Sequence, residues 1–194
     1  MNPQVHQAID LAMQAHKGQL RKSGEPYIEH PLSVLSILLQ TGVHLPLPAY
    51  LAAVLHDTLE DTTLTYESLE GQCGKETADI VLALTKVERP QGISARNHVK
   101  QYVQDMRHAS YAYPEILLIK MADCIHNLDT IHGHVGRKRI EIIAEVCDLY
   151  YPMFKDCLPP AMHALRVCYE RLLMTLRTSL ERAFRTHDIR ISLD

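Results

Sequence analysis

The chain has 194 residues, 46% of them apolar, and a formal net charge of −3. That apolar content excludes a disordered chain, and the slightly acidic balance excludes a general nucleic-acid binder, which would carry a basic excess or stripe. The length suits one domain over 1–194, with a core over about 1–155 and a C-terminal helical extension over about 156–194.

Proline and glycine divide the chain into helices. Asn2-Pro3 opens a helix that runs toward Lys17 and stops before Gly18. Residues 20–30, LRKSGEPYIEH, read as a loop broken by Gly24 and Pro26. Pro31 opens PLSVLSILLQT, closed by Gly42, and Pro48 opens PAYLAAVLHDTLEDT, read as one continuous helix. Further helices are expected over 75–87, 94–109, 114–131, 138–149 and 160–186, the last preceded by Pro159-Pro160. Residues 88–97, ERPQGISARN, form the loop expected to be most mobile. No segment alternates with period two and β-branched enrichment, so no sheet is expected and the fold class is all-α. The final helix, with RLLMTLRTSLERAF, is amphipathic; it packs on the domain or serves a homo-oligomeric contact.

There is no Trp and only 2 Phe against 9 Tyr, so the core must be mostly Leu, Ile, Val, Ala and Met. The five cysteines form no C-x-x-C pair and are odd in number, as expected of reduced thiols in the cytoplasm. The N-terminus carries no signal-peptide pattern, and no apolar run approaches the ~18 residues of a membrane span. A cytoplasmic protein without a membrane or nucleic-acid partner is expected.

Three segments carry chemistry. In AAVLHDTLEDT (52–62), His56 and Glu60 are four apart, as are Asp57 and Asp61. Residues four apart share a helix face. Four ionisable groups in so apolar a helix are costly to bury unless paired or bound to a cation; the alternative is an exposed, charged helix end. Lys120, Asp123, Asn127 and Thr130 form one polar stripe on an otherwise apolar helix. A cation would stabilise Asp123 there, and an ion pair with Lys120 is the other reading. His30, beside Pro31, reads alone as a surface or capping residue. Together His30, His56, Asp57 and Asp123 offer two imidazoles and two carboxylates without a thiolate. That set suits Mn²⁺, Fe²⁺ or Zn²⁺ in a catalytic rather than a structural role. Glu60 and Asp61, one turn on, are candidates to steer water or protonate a leaving oxygen. No G-x-S-x-G and no Walker A loop occurs.

With RKSGEPYIEHP (21–31), AAVLHDTLEDT (52–62), ALTK (83–86) and IKMADCIHNLDT (119–130) in order, the chain resembles the HD-domain superfamily, and closely the (p)ppGpp hydrolase domain of the Rel/Spo family. The resemblance implies an HD-type bundle of roughly ten helices and hydrolysis of a purine-nucleotide alarmone. It implies His30, His56, Asp57 and Asp123 as metal ligands, usually of Mn²⁺, with Glu60 and Asp61 as the catalytic pair of HDxxED. Arg21 is similar to the residue lying over the purine base, Lys22 and Ser23 to nucleotide contacts, and Asn127 and Thr130 to base or ribose contacts. Lys120 would add positive charge. The chain ends at Asp194, so a stand-alone small alarmone hydrolase is expected rather than an enzyme with a synthetase domain. Two positions depart from the family: Cys124 and Asp129 stand where basic residues are usual, removing positive charge near the second motif. Three readings of function stay open. They are hydrolysis of (p)ppGpp, the same chemistry on (p)ppApp or on the 2′-phosphate of NADPH, and a non-catalytic alarmone-binding module. The last would predict loss of Glu60, Asp61 or a ligand, and all are present.

Overall fold

The computed structural model describes residues 2–157, 165–187 and 189. Among them the chain is helical, with one isolated antiparallel bridge, Leu20 to Pro26, in the early loop. The helices are α1 Pro3–Ala15, α2 Glu29–Gln40, α3 Leu47–Leu55, α4 Thr58–Asp61, α5 Tyr66–Cys73, α6 Lys75–Leu84, α7 Ala95–Ala109, α8 Glu115–Asp129, α9 Gly136–Glu145, α10 Tyr151–Asp156 and α11 Arg166–Thr186. A 3₁₀ turn, Ile131–Gly133, follows α8, and a π-helical turn, Val146–Tyr150, joins α9 to α10. The expected start of the last helix at Pro160 lies outside the described residues; Arg166–Thr186 agrees with the rest of it.

Capping sets several boundaries. Asn2 Oδ1 accepts from Gln4 N with Pro3 in the first turn of α1, Thr65 Oγ1 accepts from Ser68 N, and Ser94 Oγ accepts from Asn97 N. Each satisfies a donor that the helix itself leaves free. α5 was absent from the sequence reading. It buries only Leu69 fully, and Gly71 sits inside it, so its periodic signal is weak.

α8 organises the core. Ile116, Leu117, Leu118, Ile119, Met121, Ala122, Cys124, Ile125 and Leu128 are all buried, so the helix is apolar almost all round. It contacts α2, α3, α6, α7 and α11. α3, with Ala49 and Leu51 to Leu55 buried, packs against α1, α2 and α6. The core is mostly aliphatic, as the composition required, with Phe154, Phe184, Tyr102, Tyr150, Tyr151 and Tyr169 also buried.

α11 lies along α8 and buries Cys168, Tyr169, Leu172, Leu176, Leu180, Ala183 and Phe184. Arg171 donates to Thr41 O at the end of α2, where Gly42 takes φ 68, a left-handed conformation that disfavours a side chain. Asp129 accepts from Ser179 Oγ (2.8 Å) and from Arg182 (3.1 Å). The family departure at Asp129 thus docks the C-terminal helix and does not face the site. Cys124 is likewise buried in the core. Asp129→Ala is expected to destabilise the fold by about 1–2 kcal/mol in urea unfolding while turnover stays unchanged.

Candidate metal centre and pocket

The first candidate ligand comes from α2. The helix begins at Glu29, two residues before the expected start, and Pro31 is tolerated in its first turn, where no N–H partner is needed. His30 is therefore a helical residue, 2% exposed, and not a surface cap.

The segment read as one helix from Pro48 is two. α3 stops at Leu55 and α4 starts at Thr58, with Asp57 at φ −95, ψ −6. Side chains compete for the carbonyls at the break: His56 Nδ1 donates to Ala53 O (2.9 Å) and Thr58 Oγ1 to Leu55 O (2.6 Å). Asp61 N still donates to Asp57 O (2.9 Å), so Glu60 and Asp61 follow on a short turn that keeps the Asp57 and Asp61 carboxylates on one side, both within reach of the Tyr27 hydroxyl.

His30 Nε2 lies 3.2 Å from Asp123 Oδ1 and 3.4 Å from Asp57 Oδ2, and His56 Nε2 lies 3.1 Å from Asp57 Oδ1. One donor atom each from His30, His56 and Asp123 lies within 4.8 Å of the others. Asp57 borders both histidines. Asp123 also accepts from Lys120 Nζ on Oδ2 (2.7 Å) and from Asn127 Nδ2 on Oδ1 (2.6 Å), so the Lys120 ion pair and the ligand geometry coexist.

These residues fit a cation. With its Nδ1 proton on Ala53 O, neutral His56 presents a buried Nε2 lone pair that has no hydrogen-bond partner and faces carboxylate oxygens. Lone pair against anion is repulsive unless a proton or a metal ion lies between them. Burial acts to lower the His56 pKa, but the nearby Asp57 and Asp123 charges push it up to about 9. Burial holds His30 below its ordinary value despite the same carboxylates. Burial acts to raise both carboxyl pKa values, but His56 and His30 together hold Asp57 low, and Lys120 with His30 and His56 holds Asp123 low, so both stay ionised. Metal-ligating histidines commonly hand their second nitrogen to a partner, as His56 does. For His30 that partner is His126, with the two Nδ1 atoms 2.7 Å apart. Burial, His30 and Arg21 draw His126 down to about 4, which favours its neutral form, able to accept at one ring nitrogen.

Above this group opens a cavity of about 310 Å³. Every residue assigned from sequence to catalysis or substrate lines it: Glu60, Asp61, Arg21, Lys22, Ser23, Lys120, Asn127 and Thr130. Arg21 donates to Asn127 Oδ1 (3.1 Å) and Thr130 Oγ1 (3.4 Å), which joins the early loop to α8. Glu60 Oε2 accepts from Lys86 N (2.8 Å), and burial raises its carboxyl pKa. Lys120 Nζ stands 4.9 Å from the Tyr150 ring and 5.8 Å from the Tyr102 ring, cation–π contacts made by the π-helical turn and by α7.

The sequence reading gave no role to His126, Lys86, Tyr102, Gly133 or His134. His126 sits three residues after Asp123, a spacing that shares its face, and Lys86 lies in the quoted ALTK; both signals were present. Gly133 was not legible. A Cβ there would meet Ser23 Cβ at 3.0 Å, a close approach of two loops distant in sequence.

The HD-domain profile matches residues 8–155. Guanosine-3′,5′-bis(diphosphate) 3′-pyrophosphohydrolase of Haemophilus influenzae is 38% identical over 146 residues, 74% of this chain and 21% of the relative. The bifunctional (p)ppGpp synthase/hydrolase SpoT of Escherichia coli K12 is 36% identical over 157 residues, 77% of this chain and 21% of the relative. The chain thus spans about a fifth of the length of these curated relatives. Among solved structures, a metazoan ortholog of SpoT that hydrolyses ppGpp superposes with a TM-score of 0.71 at 19% identity, over 98% of both chains. At that identity the likeness is one of fold. With the profile spanning α1 to α10 and the His-Asp group at its centre, the chain belongs to the HD-domain family.

Proposed function

We propose that the chain is a cytoplasmic, metal-dependent pyrophosphohydrolase that removes the 3′-pyrophosphate of (p)ppGpp, giving GDP or GTP and pyrophosphate. The ligands are His30, His56, Asp57 and Asp123, and the ion is Mn²⁺. The domain is a single HD-type bundle with α11 as its C-terminal extension. One observation carries the reading: a buried, unpartnered His56 Nε2 faces two carboxylates at the base of a pocket walled by Arg21, Lys22, Lys86 and Lys120. The names of the curated relatives supply the substrate.

When bound, a divalent cation neutralises phosphoryl charge and acidifies water. The chain's own residues do the rest. A cation at His30 Nε2 needs the proton on Nδ1, where His126 accepts it. Water attacks the phosphorus next to O3′; the new O–P bond forms as P–O3′ breaks. Asp61 takes the water's proton. Glu60, its carboxyl pKa raised by burial, returns a proton to O3′. Arg21 lies over the purine, with its guanidinium held by Asn127 and Thr130, and a planar guanidinium stacks well on a base. Lys22 and Ser23 contact the nucleotide, and Lys120 adds charge beside Asp123. Alignment and charge neutralisation carry such phosphoryl chemistry without a covalent intermediate.

The test is a substrate panel of ppGpp, pppGpp, ppApp and NADPH, run with Mn²⁺, Zn²⁺ or Fe²⁺. The expected result is pyrophosphate release from ppGpp and pppGpp, fastest with Mn²⁺. His56→Ala and Asp57→Ala are expected to lose turnover by about 10³-fold or more, matching several kcal/mol of lost stabilisation. Full activity in either variant removes the metal assignment. Faster turnover of ppApp or NADPH moves the substrate, and ppGpp binding without turnover makes the protein a sensor.

A further inference from the structure

Tyr27 occupies a position that the ligand and catalytic assignments leave unexplained. Its hydroxyl lies 2.7 Å from Asp61 Oδ2 and 2.9 Å from Asp57 Oδ2. A phenol has one proton and can donate to one carboxylate at a time. Three oxygens thus share a single hydrogen, and two of them belong to ionisable groups with different duties. An ordinary phenol, with a pKa of about 10, keeps that proton at neutral pH.

The ring is held from behind. His16, at the end of α1, stacks on Tyr27 with centroids 4.6 Å apart and planes at 19°. His16 Nδ1 donates to Gln19 Oε1 (2.8 Å), and Gln19 Nε2 donates to Asp61 O (2.7 Å). Tyr27 N donates to Gln19 O (3.0 Å). Gln19 therefore ties the backbone of Asp61, the backbone of Tyr27 and the ring beneath Tyr27 into one unit. No residue of this unit is a proposed ligand, yet it fixes both hydrogen-bonding ends of the Asp61–Tyr27 pair.

We infer that Tyr27 is a positioning residue: when Asp57 engages a cation, the Tyr27 hydroxyl gives its whole hydrogen bond to Asp61 and holds that carboxylate toward the reacting water. The inference rests on the assignment of Asp57 to the ion and Asp61 to the water made above. The physical reason is competition. Asp57 Oδ2 faces His30 Nε2 at 3.4 Å, so a cation in the group draws on the same oxygen that the phenol touches. The shorter contact, to Asp61, is the one that remains. Metal occupancy and carboxylate orientation are coupled through the one phenolic hydrogen that the two carboxylates compete for.

Tyr27→Phe tests this, because it keeps the ring on His16 and deletes only the hydroxyl. Three quantities are measured: kcat and KM on ppGpp, Mn²⁺ affinity by calorimetry without substrate, and both again in an Asp61→Asn background. The expected result is a fall in kcat of about 10–100-fold, the range for lost supporting hydrogen bonds, with KM within about twofold. Mn²⁺ affinity should hold or tighten slightly, since the phenol no longer competes for Asp57. In the Asp61→Asn background Tyr27→Phe should add almost nothing, the mark of two groups acting as a unit. Tenfold weaker Mn²⁺ binding would make the hydroxyl a plain support of Asp57 and overturn the inference, as would equal losses in both backgrounds or an unchanged kcat. A wild type that binds Mn²⁺ but leaves ppGpp intact would sink the substrate reading alone. The cycle is then read on whichever panel member is hydrolysed.

Discussion

Asp123→Asn is expected to weaken Mn²⁺ binding by at least about 100-fold and to lower kcat/KM on ppGpp by about 10³-fold, several kcal/mol of transition-state stabilisation. Asp123 is 5% exposed and serves three partners at once: Oδ2 takes Lys120, and Oδ1 takes Asn127 and faces His30 Nε2. An amide keeps the shape and loses the charge. The same change strips Lys120, 17% exposed, of the one carboxylate it pairs with among the described residues. Breaking one half of a buried pair leaves the other half uncompensated, at about 3–5 kcal/mol. The Tyr150 and Tyr102 rings against Lys120 Nζ soften that loss, so a cost near the lower figure is expected in urea unfolding. The two effects separate in a double variant. Lys120→Met with Asp123→Asn should recover most of the stability and none of the metal binding. Full Mn²⁺ affinity in Asp123→Asn, with the fold intact, would remove Asp123 from the ligand set.

Why was so much of this site legible? The proposed ligands are polar or charged groups in apolar helices, and burial makes such groups expensive without a partner. Asp123 inside ILLIKMADCI and His56-Asp57 after LAAVL announce themselves by that cost alone. The family motifs then joined segments that no periodicity argument could bring together. What failed was the geometry between neighbours. The spacing of His56, Asp57, Glu60 and Asp61 is the same for one helix as for two short ones. Only the competition of His56 Nδ1 and Thr58 Oγ1 for backbone carbonyls reveals the break. His16 and Gln19 were illegible for another reason. They are ordinary residues: Gln19 takes its meaning from a contact with Asp61, 42 positions away, and His16 from its stacking on Tyr27. Asp129 misled because a missing positive charge in a motif suggested a change at the pocket, whereas its carboxylate turns to Ser179 and Arg182 on α11.

Protein stripped of metal by a chelator is expected to lose stability steadily between about pH 6.5 and pH 9, whereas protein in excess Mn²⁺ is not. His56 sets the window. Its folded pKa is raised to about 9 from the ordinary 6.5. A raised base favours the protonated fold, so its contribution is fully present below pH 6.5 and is lost as pH climbs through about 9. At 1.36 kcal/mol per pKa unit the loss is on the order of 3 kcal/mol. His30 and His126 are held below their ordinary value, so they act under pH 6.5, where stability falls as pH drops, and they leave the window clear. A cation reverses the trend. It needs the His56 Nε2 lone pair that the proton occupies, so its affinity rises with pH over the same interval, by up to about tenfold per unit for one displaced proton. Thermal unfolding from pH 6 to 9.5 should therefore show a gap between the Mn²⁺ and chelator curves that widens with pH. His56→Asn should flatten the chelator curve and close the gap. Parallel curves in wild type would mean that no proton on His56 stands where the cation goes, and the four-residue centre would have to be abandoned.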